Sequence, residues 1–588
     1  VASPCIASHF PSPAPAVLAH IHTVRQQTRM CTAMRLMATL LLVTPVAGWL
    51  GAPLTALRSR AAAASGHRRS HPVLAELDGA EVLGAAALAA ANVGGASVLL
   101  KRMRDEDRKP ALASGRVEAV EDRGTDDGSD EGVDAAVIVV GAGAAGIGFA
   151  ITLTKTFGLD PSRVLLVEKG DGVGTSFRQW PEEMRFISPS FNSEGWTNSF
   201  DLNSVAHGSS PAYELHAQHP SGSQYADYLD DLCGIVQLKK RVKRRCEVLR
   251  VEKGPDGAFD VRVRSRKADG AEREDTLRSR YVVWAAGEFQ YPREGGDCVG
   301  GAELCLHNSR VSSWASLDGD ERVVIGGYES GVDAAVNLAK AGKQATVLAS
   351  TATWNVQTVD PSSELAPYTA DRLREVTAEG FSPSPKLLAP LRVQRVERAP
   401  EGGFNVVAAW KAADNPLPLP DGLRKPFVTR AESTARWLAE QEGGDAAPFA
   451  SLGTITPPGA EGSEVVVHTA QPPVLCTGFE GSVASVARNL FAFADEADEA
   501  KGCLCGAAML TDDDESTAVP GVFLVGPSVS HGDLSFCFVY KFRQRFGIVA
   551  DKICRGLGRD TAAAVAECRK TNMYLDDLSC CVGSCGTC

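Results

Sequence analysis

Apolar and polar positions along the 588-residue chain fall into a pattern that is used twice. Residues 136–140 (Ala-Val-Ile-Val-Val) form an unbroken apolar run, which is the signature of a strand buried on both faces. The run passes through a glycine-rich bend into a helical stretch over 147–157, and a second short apolar run follows at 163–167. The same succession returns at 322–325, 332–341 and 345–348. Further strand-like runs stand at 281–285, 474–476 and 520–525. Strands alternating with helices in this way predict an α/β fold built on parallel sheets.

The bends carry the chemistry. The first reads Gly141-Ala-Gly143-Ala144-Ala-Gly146. Gly141 allows a tight turn, Gly143 lets backbone N–H groups approach a diphosphate, and Gly146 lets the helix pack on the strand. The helix N-terminus stabilises the phosphate charge, and Ala144, inside the bend, counts with Gly141, Gly143 and Gly146 as cofactor-binding. The strand at 163–167 ends in Glu168, an acid placed to bind the ribose hydroxyls of an adenosine. The second bend reads Gly326-Gly327-Tyr328-Glu329-Ser330-Gly331. Tyr328 stands where the second glycine of such a loop belongs, and Ala349, Ser350 and Thr351 offer neither an acid nor an Arg after the second strand. NADH against NADPH is therefore open. The expected fold class is α/β with two Rossmann-like dinucleotide-binding domains, the second inserted in the first, and flexible N- and C-terminal segments.

This arrangement resembles the superfamily of FAD-dependent pyridine-nucleotide oxidoreductases, which includes thioredoxin reductases, bacillithiol-disulfide reductase-like proteins and flavin-containing monooxygenases. The resemblance spans roughly residues 134–556 and rests on further segments. Ala285-Ala286-Gly287 resembles the turn where the chain leaves the FAD domain. Cys476-Thr477-Gly478 resembles its return, and 520–526, ending in Gly526, resembles the last strand beside the flavin. The stretch 170–177, with Gly174 and Ser176, resembles the flavin-covering loop of the monooxygenases, although Phe177 replaces their Trp. Gly526 is followed by Pro527 rather than Asp, so Asp533 is an alternative flavin contact. The implied cofactors are FAD and NADPH or NADH. The implied reaction transfers hydride from NAD(P)H to flavin and on to a disulfide-type or other small acceptor. A monooxygenase using NADPH and oxygen, and a non-catalytic redox-sensing or metal-binding flavoprotein, are the alternatives.

Cysteine placement narrows the acceptor. Residues 169–200 and 326–350 hold no Cys, so the flavin-proximal disulfide of the disulfide reductases is absent from its usual places. Instead the chain ends Cys580-Cys581-Val-Gly-Ser-Cys585-Gly-Thr-Cys588. Cys585 and Cys588 suit either a mobile redox dithiol that shuttles electrons, like the arms of larger thioredoxin reductases, or a thiolate metal site. His531, in the segment after the last FAD strand, is placed to exchange a proton with reduced flavin, and Lys541 or Arg543 to offset its charge. No catalytic triad or His-based metal motif stands out.

Composition sets the limits. The chain is 44% hydrophobic and 22% charged, which excludes wholesale disorder, and its net charge of −12 argues against a nucleic-acid partner. The partners implied are a small-molecule or protein-disulfide substrate and, by resemblance, a second copy in a homodimer. Residues 1–75 depart from the rest, with seven Arg and neither Lys nor acid. They read as a targeting presequence of two parts, expected for the plastid of an alga; the secretory pathway is the alternative. Residues 76–133 comprise an apolar segment, uncharged over 82–100, that serves as a weak membrane anchor or more presequence, and an acidic linker. The expected division is then an FAD-binding domain at 134–315 and 471–556, an NAD(P)-binding domain at 316–470 with a Pro/Gly/acid-rich excursion at 414–464, and a Cys-rich tail at 557–588.

Overall fold

The computed structural model describes residues 132–191, 200–296, 298–356, 364–410, 452–456, 461–493, 507–532 and 534–578. The presequence, the apolar segment at 82–100, most of the acidic linker, most of the 414–464 excursion, Asp533 and the tail cysteines from Cys580 onward lie outside them. Among the described residues no helix is long and apolar enough to cross a membrane.

The chain opens with β1 (Ala135–Val140), all six residues of which are buried, as the unbroken apolar run requires. Next come α1 (Ala144–Ile151), continued by one π-helical stretch over Thr152–Thr156, and β2 (Val164–Val167). After α2 (Gly222–Ile235) the strands β3 (Val242–Lys243), β4 (Cys246–Lys253), β5 (Phe259–Arg266) and β6 (Glu272–Trp284) complete most of the first sheet. Its order is β3-β2-β1-β6-β5-β4. The long β6 serves two partnerships: its second half runs parallel to β1, while its first half pairs antiparallel with β5. A short ribbon strand, β7 (Tyr291–Pro292), then leads away from this sheet.

The second sheet takes β8 (Leu306–His307), β9 (Glu321–Ile325), β10 (Gln344–Leu348) and β11 (Lys386–Leu388). The helices α3 (Glu329–Lys340) and α4 (Pro367–Thr377) pack against it. A separate antiparallel sheet follows, of β12 (Leu391–Arg398), β13 (Phe404–Trp410) and β14 (Glu464–Thr469). The parallel sheet closes with β15 (Val474–Leu475) in the order β11-β10-β9-β15-β8. Alternation along β9 and β10 divides its side chains between two cores. Val324 and Val347 face α3 and α4 with Trp354 and Leu373, whereas Val323, Ile325 and Leu348 face the antiparallel sheet with Val396 and Val406. Leu306–His307 and Val474–Leu475 thus belong to the second sheet, although the sequence boundaries at 315/316 and 470/471 leave them with the first domain. Both runs are two residues long, too short for periodicity to assign a sheet.

The chain returns through β16 (Phe479–Glu480), which pairs antiparallel with β7. The pair β17 (Ala492–Phe493) and β18 (Ala508–Met509) precedes β19 (Val522–Leu524), which lies parallel to β6 on the side away from β1's other neighbours. A hairpin of β20 (Ser530–His531) and β21 (Leu534–Ser535) leads to α5 (Phe546–Gly556). Arg543, just before α5, is fully buried and holds the segment at 200–204 in place. Its guanidinium donates to the carbonyls of Asp201 at 2.5 Å, Ser204 at 2.6 Å and Phe200 at 3.1 Å, and lies 3.6 Å over the Phe200 ring. Burial pulls its pKa down to about 10. Replacing Arg543 by Met leaves those carbonyls unpaired inside the core and is expected to cost about 3 kcal/mol. A denaturation midpoint equal to that of the wild-type protein contradicts this.

Candidate functional site

The first glycine bend sits at the carboxyl end of β1, against the turn that leaves β6. Gly141 has φ +104°, and a Cβ there would lie 2.6 Å from the Ala285 carbonyl oxygen and 3.0 Å from Ala286 Cα. A Cβ on Gly146 would come within 2.1 Å of the Gly141 oxygen. Both positions are closed by backbone, so only glycine fits. Gly143, which caps α1, is the opposite case: nothing lies within 4 Å of the space its Cβ would fill. This open cradle is bounded by the N–H groups starting α1, and it suits a diphosphate.

Other predicted residues gather round the same crevice. Glu168, 8% exposed, follows β2 and accepts hydrogen bonds from Ala142 N at 2.9 Å and Gly170 N at 2.7 Å. Its carboxylate thereby fixes the bend, and each oxygen keeps a lone pair for a ribose hydroxyl. Gly174 N donates to the Ala142 carbonyl at 3.0 Å, which ties the 170–178 loop to the bend; Gly174 is left-handed, with φ +69°, and Ser176 sits half-buried in the short helix after it. Gly526, past β19, faces Ala145: a Cβ on it would lie 3.0 Å from the Ala145 Cβ. Gly287 ends the exit turn with φ +74° and open space beside it. The residues fit an FAD whose diphosphate rests on α1.

The second bend repeats the packing of the first. Gly326 has φ +111° and a Cβ there would lie 2.4 Å from the Cys476 carbonyl oxygen, as Gly141 meets Ala285. Gly331 closes on Gly326 as Gly146 closes on Gly141, at 1.9 Å. Gly327 faces Ala349 and Trp354, so its missing Cβ is needed for packing rather than for a ligand. Tyr328, at the position of Gly143, is 44% exposed and donates from its hydroxyl to the Glu364 carbonyl at 3.0 Å. That bond swings the ring towards the 364–366 segment. Glu329, in the first turn of α3, accepts from Ala366 N and the Thr369 hydroxyl, both at 2.5 Å, and burial raises its pKa. Ser330 follows it half-buried, and Gly478, with φ +81°, stands two residues past Cys476.

His531 lies on the hairpin beyond Gly526, and its surroundings were not foreseen. Its Nε2 is 2.6 Å from Oδ1 of Asp514, which is fully buried. Arg545 grips the same carboxylate, with Nε donating to Oδ2 at 3.0 Å and Nη2 to Oδ1 at 2.8 Å. A carboxylate only accepts, so the 2.6 Å contact calls for hydrogen on Nε2, although Arg545 Nη2 also lies 3.3 Å from that nitrogen. Asp514 belongs to the run Asp512-Asp513-Asp514-Glu515, which reads in sequence as a solvated acidic stretch. Arg543, expected near the flavin, is instead spent on backbone carbonyls, as described above. Cys537, on the segment between His531 and Arg543, is exposed. Cys585 and Cys588 lie outside the described residues. Among those residues no cluster of His, Cys, Asp or Glu could hold a metal ion, and the cysteines are unpaired.

Comparison with known proteins agrees with this geometry. Residues 138–409 match the family model of the pyridine nucleotide-disulphide oxidoreductases. Similar solved structures include a bacillithiol disulfide reductase from Bacillus cereus, at 19% identity and a TM-score of 0.46, covering 72% of this chain and 99% of that one. A thioredoxin reductase of T. acidophilum has 15% identity, a TM-score of 0.42 and coverage of 72% and 98%. An ornithine N-hydroxylase of a Kutzneria species has 14% identity, a TM-score of 0.46 and coverage of 72% and 99%. Over residues 138–409 the chain is therefore similar to the pyridine nucleotide-disulphide oxidoreductases.

Two substitutions separate the roles of the two bends. Gly143→Asp sets a carboxylate in the diphosphate cradle and should abolish flavin binding, read as loss of the flavin absorbance from the purified protein. Tyr328→Gly restores the missing glycine and should tighten NADPH or NADH binding about tenfold, with flavin content unchanged. Flavin retained in the first variant, or unaltered nucleotide affinity in the second, contradicts the assignment.

Proposed function

We propose that this enzyme oxidises NAD(P)H and reduces a small disulfide-type acceptor. The observation that carries the reading is the buried His531–Asp514 contact on the hairpin past Gly526, which supplies an oriented proton-exchanging ring on the side of the crevice that Gly526 borders. FAD, held at Gly143 and the N-terminus of α1, would supply the redox chemistry between the nicotinamide nucleotide and the acceptor. The chain's own residues bind and orient. The open space at Gly143 and the N-terminus of α1 hold the flavin diphosphate, and Glu168 holds its ribose. Asp514, itself anchored by Arg545, keeps hydrogen on His531 Nε2, so that Nδ1 delivers the proton that a departing thiolate needs. The net change balances as NAD(P)H, one proton and a disulfide giving NAD(P)⁺ and two thiols.

Cysteine chemistry supports an acceptor that arrives from outside the described fold. Burial pushes the thiols of Cys233, Cys305, Cys554 and Cys568 up to about 12, far from the thiolate form that attacks disulfides. Cys585 and Cys588, by their spacing, are candidates for relaying electrons to a protein disulfide.

A second reading has oxygen as acceptor and a small substrate oxygenated. It draws on the aromatic cluster of the 170–186 loop, in which Phe177 packs on Trp180, Phe186 and Tyr225 with ring centroids 5.3, 5.7 and 4.9 Å away. Such a cluster shields a reaction from water.

Anaerobic mixing with NADPH and with NADH, followed by a small disulfide, tests the proposal: bleaching of the flavin and then release of thiol is expected. His531→Asn should slow the disulfide step about a hundredfold and leave flavin bleaching intact. Cys585→Ser should stop turnover with a protein disulfide. Bleaching that reverses only with oxygen uptake, and not with any disulfide, favours the second reading; no bleaching with either nucleotide overturns both.

A further inference from the structure

Glu288 is a half-buried acid with one sealed carboxyl oxygen that the fold itself does not use. It follows the exit turn Ala285-Ala286-Gly287 and precedes the ribbon in which β7 pairs with β16 through Pro292↔Phe479 and Tyr291↔Glu480. Its side chain points at the return segment: a Cβ on Gly481 would lie 2.1 Å from Glu288 Oε2. Next to it, Trp284 Nε1 donates to Ser482 Oγ at 3.1 Å, so the neighbouring polar groups are satisfied by one another. Glu288 Oε1, in contrast, is sealed from solvent and has no hydrogen-bond partner among the described residues. An unmade hydrogen bond on a buried carboxyl oxygen is costly, and folded proteins keep few such groups.

Position says what could complete the bond. In parallel α/β sheets ligands lie in the crevice beyond the carboxyl ends of the strands. Glu288 lies four residues beyond β6 at that end of the first sheet. The turn before it touches the first bend, through Ala285 and Gly141, and the segment it points at follows Cys476, which touches the second bend at Gly326. The acid therefore stands on the connection between the two dinucleotide loops.

Its charge state fits the same role. Burial alone raises the carboxyl to about 7, with no contribution from a charged neighbour. The titratable groups on the adjoining strands are otherwise engaged or exposed. Lys169 lies over the Tyr291 ring at 4.8 Å, Arg310 is paired with Glu294, and His307 bonds Ser309 Oγ at 2.8 Å and the Gly478 carbonyl at 3.1 Å. Arg293 is bound through its backbone to Gly478, and Glu480 is exposed.

We propose that Glu288 is a dinucleotide-binding residue whose Oε1 accepts a hydrogen bond from a hydroxyl or amide of a cofactor bound in this crevice, with release of the carboxyl proton to solvent. The inference rests on the reading that dinucleotides occupy the two bends. A donor to Oε1 favours the ionised carboxyl, so its pKa is lower with ligand bound than without. Affinity must therefore tighten as pH rises through about 7, about tenfold for each unit by which the ligand lowers that value.

The test uses the flavin-loaded protein between about pH 5.5 and about pH 8.5. One arm measures FAD release by fluorescence; the others titrate NADP⁺ and NAD⁺. In the wild-type protein one of these affinities should tighten about tenfold or more with rising pH, and the arm that moves identifies which cofactor supplies the donor. Glu288→Gln keeps the shape without the charge and should flatten that arm. Gly481→Ala displaces the carboxyl without removing it and should weaken the same arm, so that the test survives if either variant folds poorly. Flat profiles in every wild-type arm, or an equal slope in Glu288→Gln, overturn the inference while leaving the dinucleotide reading intact. Failure to bind any dinucleotide at any pH overturns that reading together with this one.

Discussion

The architecture depends on a close approach of backbone to backbone, made twice. At Gly141 the bend after β1 presses on the carbonyl of Ala285, and at Gly326 the bend after β9 presses on the carbonyl of Cys476. In each case the residue five positions on, Gly146 or Gly331, closes back on the carbonyl of the first glycine. No side chain fits between these surfaces. The approach is what draws each helix N-terminus up to the carboxyl edge of its sheet, and at the first bend it leaves the open position at Gly143 that suits a diphosphate. The sheets can vary in their outer strands without disturbing this arrangement; the bends cannot.

The two repeats nevertheless differ where the ligand would lie. The first keeps an open position at Gly143 and an acid, Glu168, that braces the bend from the second strand. The second fills the equivalent position with Tyr328 and has Glu329 rather than a neutral residue in the first turn of its helix. A phosphate approaching the second helix meets a ring and a half-buried acid as well as a helix dipole. Binding of the nicotinamide nucleotide is therefore the more conditional of the two events, and the Tyr328–Glu364 bond is the contact that it must rearrange. Conditional binding suits a donor that has to arrive and leave in each cycle, whereas the braced bend suits a cofactor that stays.

Much of this was legible in the sequence, for physical reasons that differ by residue. Strands buried on both faces, such as β1 and β9, announce themselves as unbroken apolar runs. Gly141 and Gly146 are legible because the close approach leaves glycine no substitute, and Glu168 because an acid ending a buried strand needs a purpose. The site's polar supports were hidden. Asp514 sits among four consecutive acids and looks solvated; it becomes a buried partner of His531 and Arg545 only because the chain turns left-handed there, at φ +58°. Arg543 carried a plausible role beside a charged cofactor, yet three backbone carbonyls from a segment more than three hundred residues away claim it. Glu288 follows the Ala-Ala-Gly turn in plain view, but its carboxyl is covered by Gly481, just past the return strand, a contact of long sequence separation that no local pattern records. The short strands at 306–307 and 474–475 joined the second sheet for a similar reason: pairing, not hydropathy, decides where two residues belong.

The central claim is that the first bend holds an FAD with its diphosphate against the start of α1. The most direct measurement is the visible absorbance of the purified protein, followed by identification of what heat denaturation releases. With FAD on the first bend the protein is yellow and gives up FAD at about one molecule per chain. A colourless protein that stays colourless after incubation with FAD would contradict that claim.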